Sequence, residues 1–138
     1  MTRRVVFALL LAAISVSTAA LAQTTKAAPD ESAILVGDWR GDSICQVRPS
    51  ACNDEKALYH FKKLGAQPNH FSLQADKIVN GEAVPMGTME CSFAPEKHVV
   101  TCSTPRLTIQ LALNGTSLNG TMNLPDGTLW RKITLRHD

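Results

Sequence analysis

Aromatic residues are scarce in this chain. Phe, Trp and Tyr make up 5% of its 138 residues, so an aromatic-lined pocket is hard to furnish once the core has taken its share. There is no Cys-x-x-Cys pair and no Gly-x-Ser-x-Gly, which removes the usual redox motif and the nucleophile elbow. No internal repeat and no low-complexity tract follows the first thirty residues. Basic charge is not in surplus either. Without Arg3 and Arg4 the 14 Lys and Arg residues fall to 12, matching the 12 acidic ones. A neutral mature chain argues against nucleic acid or anionic lipid as a partner, because both require clustered Lys and Arg.

The plainest structural statement runs from Leu107 to Leu135. Leu107, Ile109, Leu111 and Leu113 alternate with Thr108, Gln110 and Ala112, the period of a strand with one buried face. Asn114-Gly115 then predicts a two-residue turn, setting Leu113 opposite Thr116, Leu111 opposite Leu118 and Ile109 opposite Gly120. At Leu124-Pro125-Asp126-Gly127-Thr128 two rules compete. The Pro-Asp-Gly chemistry favours a type I turn closed by a Gly bulge. Keeping Lys132 and Thr134 out of the core favours an even loop that pairs Leu124 with Leu129, Gly120 with Ile133 and Leu118 with Leu135. The even loop is preferred, and the result is a three-stranded antiparallel meander with one apolar face.

Residues 1–22 read as an export signal: a basic start at Arg3-Arg4, an apolar run and the small-x-small site Ala20-Leu21-Ala22. Residues 23–33 read as a disordered leader, and residues 34–138 as a single β domain. No basic stop-transfer cluster follows the signal, so no stable membrane insertion is expected after its removal. All four Cys lie in the exported part, which suggests two disulfides in an oxidising compartment, periplasmic or extracellular. Three connectivities are open. Local geometry favours Cys91 with Cys102, facing each other across a hairpin around Pro95-Glu96-Lys97-His98, and Cys45 with Cys52. Between these, Ala57–Leu64 and His70–Ile78 read as strands, and Asn80-Gly81 as a tight turn leading into a strand over Val84–Phe93. With a first strand from Ile34 to Cys45 the sum is an all-β antiparallel meander of about eight strands, a small barrel or barrel-like sandwich.

Gly37-Asp38-Trp39 opens the first strand and Arg131 lies near the end of the last. This pair resembles the Gly-x-Trp signature and closing Arg of the lipocalins and related calycins, which implies that Arg131 packs across Trp39 at the closed end of an eight-stranded barrel. Gly37-Asp38-Trp39-Arg40-Gly41, Cys52-Asn53-Asp54-Glu55, the run from Ala75 to Gly81, and Gly120-Thr121 with the Pro125–Thr128 turn also resemble a pattern found in small exported bacterial proteins of unassigned function.

Few residues suggest chemistry. Asp54 and Glu55 beside the Cys45–Cys52 loop, with His60 or His70, could be metal ligands, but acidic pairs at turns are mostly solvated and no metal or cofactor is expected. Asp76-Lys77 reads as a local surface ion pair. No catalytic group is assigned. The inward Leu, Ile and Met residues are expected to fill the barrel, although Gly120 hints at open space. Two functions fit: a binding module for a small apolar molecule or envelope component, or a surface-acting partner or inhibitor that uses Cys45–Cys52 and Gly65–Asn69.

Overall fold

The computed structural model describes residues 30–138. The expected export signal and the leader through Pro29 lie outside the described residues. A one-turn helix α1 (Ser32–Leu35) is followed by eight strands: β1 (Gly37–Cys45), β2 (Glu55–Lys63), β3 (His70–Val79), β4 (Glu82–Ala94), β5 (Val99–Thr104), β6 (Leu107–Asn114), β7 (Ser117–Asn123) and β8 (Leu129–His137). Each pairs antiparallel with the next, and β8 returns to β1 to close the barrel. Closure removes sheet edges wherever the pairing is complete. Both expected disulfides are present, Cys45–Cys52 and Cys91–Cys102.

The inward positions are those the alternation predicts. Trp39, Tyr59, Phe61, Phe71, Leu73, Val100, Leu111, Leu118 and Leu135 are almost wholly buried. Most of this bulk lies toward the start of β1, where α1 crosses the barrel end. Leu35 is completely buried there, and the Trp39 indole donates to its carbonyl oxygen at 3.0 Å. The start of the fold therefore differs from the expected leader and early strand. Ser32–Leu35 is helical because Leu35 gains a buried apolar site, while Asp30 Oδ1 accepts the Ser32 amide at 3.1 Å.

Turn chemistry and burial divide the last hairpin between them. The Leu124 carbonyl accepts the Gly127 amide, and Gly127 has φ +88°, the type I turn with a Gly bulge. Further down, Gly120 faces Ile133 and Leu118 faces Leu135, the register of the even loop. A bulge reconciles the two: Met122 pairs with Arg131 and Asn123 with Leu129, so Trp130 is the extra residue and Leu124 does not pair with Leu129. Lys132 and Thr134 remain exposed.

The β6–β7 turn differs from expectation by one position. Asn114 pairs with Ser117, and Leu113 with Leu118, so the loop is Gly115-Thr116 rather than Asn114-Gly115. Gly115 alone has positive φ, +59°, as fits a turn with Gly in its first position. The pairing moves by two residues, which keeps every side chain on its expected face. Gly120 consequently faces Leu111, and it does not mark empty space. A Cβ there would lie 1.8 Å from the Gln110 carbonyl oxygen, so neighbouring backbone occupies the position.

Candidate functional site

The two ends of the barrel are built differently. At the closed end Trp39 meets His137 edge-on, with ring centroids 4.7 Å apart. The His137 Nε2 lies 3.1 Å from the Val36 carbonyl, and a Cβ on Gly37 would come within 2.9 Å of that nitrogen. Gly37 also has φ +129°, so both its conformation and its neighbour require glycine. Arg131 is not at this end. It pairs with Cys45, six residues along β1 from Trp39 or roughly 20 Å at strand rise, and His137 pairs with Trp39 instead. The expected packing of Arg131 across Trp39 is therefore replaced by His137, because the end of β8 lies beyond Arg131.

At the open end Arg131 ties β8 to the segment between β1 and β2. Its Nη1 donates to the carbonyls of Ser43 at 3.2 Å and Asn53 at 3.0 Å, and its Nη2 lies 3.3 Å from Glu55 Oε1. The disulfide-closed loop is held from its other side by Asp54, whose Oδ1 accepts the Cys45 amide at 2.9 Å and Arg48 at 2.6 Å. Asp54 and Glu55 thus serve the loop. His60 and the exposed His70 do not join them, and among the described residues no group of His, Cys, Asp and Glu is placed to hold a metal ion.

Above Arg131 the interior opens into a cavity of about 240 Å³. One wall is β4, with Met86, Gly87 and Met89, and the opposite wall is Leu107 and Ile109 of β6. Met122 and the bulged Trp130 complete the apolar lining, with Ala75 beneath and the Glu55–Arg131 pair at the polar side. Three Met side chains give this lining adaptable, polarizable surface. Below it, the Tyr59 hydroxyl is buried and has no hydrogen-bond partner among the described residues. Burial pushes its phenol pKa up; Arg131 pulls it down and Glu55 adds to the rise. The filled interior expected from sequence holds for the closed half only.

The barrel wall is also incomplete beside this cavity. β5 meets β4 only from Cys91 to Ala94, and among the described residues Glu82–Glu90 pairs with β3 alone. The Cys91–Cys102 bridge is the last rung before the wall opens. A signal for this was present: the alternation of β4 begins near Val84, whereas β5 has room for six residues before Pro105 ends it.

A second polar constellation lies outside the barrel. His60 Nδ1 is 2.6 Å from Asp38 Oδ1, and its Nε2 is 3.1 Å from Asp76 Oδ2. Asp76 is 3% exposed and also accepts from Gln74 Nε2 at 3.1 Å, so it is not the surface ion pair with Lys77 that the sequence suggested. A β-bulge between Ala75 and Asp76 sits at this position. Burial works against a charge on His60, but the hydrogen bonds and negative charges of Asp38 and Asp76 outweigh it and raise its pKa above the ordinary histidine value.

The fold and bridges define a small, disulfide-stapled, eight-stranded antiparallel barrel. Two disulfides indicate folding outside the reducing cytoplasm. No protein-family model matches the chain, and no curated protein matches it in sequence. Among the described residues no helix is long and apolar enough to cross a membrane.

Proposed function

We propose that this protein is an exported binding module, periplasmic or secreted, that holds a small apolar molecule or the apolar end of an envelope component in the open-end cavity. The observation that carries this reading is the contrast in filling. The closed half is packed with aromatic and branched side chains, whereas the open half leaves about 240 Å³ lined by Met, Leu, Ile and Trp. That volume is below the roughly 300–1,000 Å³ of sites for drug-sized ligands, so the cavity suits a small molecule or one end of a longer one. The Gly-x-Trp resemblance to lipocalins supports the same use of a barrel interior. The reading assigns no catalytic step.

Titration with the neutral fluorescent probe N-phenyl-1-naphthylamine tests it. Saturable binding is expected, and Ala75→Leu or Met89→Phe, which fill the cavity from two sides, should weaken it about tenfold without loss of the folded spectrum. Binding that is unchanged in both filled variants would place the probe elsewhere and end this reading.

A further inference from the structure

Among the described residues β4 has a neighbour on one side only over 82–90, and the ladder shows which backbone groups this leaves free. The Phe93 amide donates to the Asn69 carbonyl, on the β3 side. Bonding direction alternates along an antiparallel strand, so Cys91, Met89 and Gly87 also bond toward β3, while the N–H and C=O of Glu90 and Thr88 point to the open side. The Cα separation of 4.1 Å between Cys91 and Cys102 agrees, because it is that of a non-hydrogen-bonded pair on the β5 side. Past the bulge, the Asn80-Gly81 turn closes on Val79 and Glu82, which sets Ala83 and Pro85 toward the open side. Pro85, which has no N–H, therefore costs the β3 ladder nothing. The side chains sort in the same way. Met89 and Gly87 face the cavity, Thr88 and Glu90 face solvent, and Val84 and Met86 are 38% and 46% exposed.

The geometry points to a peptide-docking edge: an extended polypeptide segment adds to β4 as an extra strand, bonds to Thr88 and Glu90, and sets an apolar side chain into the open-end cavity. This rests on the preceding reading for the cavity and adds the backbone that carries the apolar group. Main-chain bonds along an exposed edge supply affinity, and a pocket for alternate side chains supplies selectivity. The edge also selects its occupant by charge. Antiparallel pairing of two copies through their free groups sets Thr88 of each against Pro85 of the other and Glu90 against Ala83, so each central rung lacks one donor. A second copy also brings Glu82 and Glu90 to the edge with no Lys or Arg between them, so it is disfavoured. The fitting partner carries Lys or Arg at both ends of a strand with apolar residues at alternate positions between them.

The test uses the full oxidised protein, N-phenyl-1-naphthylamine, and two synthetic peptides. One is Lys-Val-Thr-Leu-Thr-Val-Thr-Lys, whose first Lys lies opposite Glu90 on the solvent face while Val and Leu face the cavity, and the other has Glu at both ends. The Lys-ended peptide is expected to displace the probe and to slow amide exchange at Thr88 and Glu90, and the Glu-ended peptide to bind about tenfold or more weakly. The double variant Glu82→Lys with Glu90→Lys should invert that order. Thr88→Pro removes an open-side donor while leaving the β3 ladder intact, so it should lose the peptide and keep the probe. Probe binding with no displacement by either peptide overturns the docking edge and leaves the cavity reading standing. Peptide binding without probe binding does the reverse. Equal binding of both peptides to parent and double variant removes the charge argument, and a dimer in sedimentation overturns the choice of occupant.

Discussion

The closed end and the open end of this barrel use the same alternation of side chains to opposite effect. At the closed end the inward positions carry Trp39, Phe61, Phe71 and Phe93, and Leu35 of α1 covers them. Toward the open end the corresponding positions on the same strands shrink to Ser43, Ala57, Ala75 and Gly87. The five aromatic rings buried among the described residues, Tyr59 included, are thus spent on one half. With so few to distribute, stability concentrates in the plug and the other half is released from the need to pack. A strand can therefore be tightly packed at one end and leave space at the other without any change in pattern.

The sharpest way to break this comparison is to truncate one residue in each half. Phe71→Ala, at a fully buried site, should cost about 3–5 kcal/mol. Met89→Ala enlarges a space that already exists and should cost less than about 2 kcal/mol, below the range for filled cores. Denaturant midpoints measure both, and equal losses would show that the halves are packed alike.

Next in size is the bridge between the halves. Replacing Cys91 and Cys102 with Ala should cost roughly 2–5 kcal/mol, since it removes a constraint on the unfolded chain and leaves a gap at two buried positions. Replacing Cys45 and Cys52, which close a loop of sequence separation seven rather than eleven, should cost less in the same melts. Tyr59→Phe probes the boundary between plug and cavity. It removes a buried hydroxyl with no partner and should raise stability by about 1 kcal/mol; a loss would mean that the hydroxyl is bonded to water in the cavity.

The smallest effect concerns the outer wall. Because the pKa of His60 is raised above 6.5, its protonated contacts with Asp38 and Asp76 contribute stability that is fully present below about pH 6.5 and is lost as pH rises through the raised value. Unfolding free energy should therefore decline from mildly acidic toward neutral and alkaline pH, and His60→Gln should flatten that slope. A slope unchanged by the substitution would assign it to other groups.

Much of the fold is legible in the sequence because strand alternation and turn residues are local. Cys91 and Cys102 can be placed opposite each other by counting across Pro95–His98, and the even register of Gly120 with Ile133 follows from keeping Lys132 outside. What was missed depends on relations between distant strands. The β6–β7 turn slips by one position because Asn-Gly and Gly-Thr both satisfy the burial pattern, and burial cannot separate registers that differ by two. His60 finds Asp38 and Asp76 only once β1, β2 and β3 are aligned. The exchange of Arg131 for His137 beside Trp39 depends on how far β8 runs. The open-end cavity follows from a mismatch in length, thirteen residues in β4 against six in β5, which matters only once the two are known to be neighbours.

The Cys91–Cys102 bridge sits where that mismatch begins, and its position fixes the shape of the aperture. Four rungs join β4 to β5, from Cys91 with Cys102 to Ala94 with Val99. A two-stranded pairing that short has little stability of its own in water. Anything wedged between the strands above it would tend to peel them apart like a seam pulled from its end. A covalent stitch at the first rung stops the tear there. The rest of the barrel wall thus keeps its pairing beside the opening, whose width is set by chemistry completed when the protein is oxidised rather than by the strength of four paired rungs.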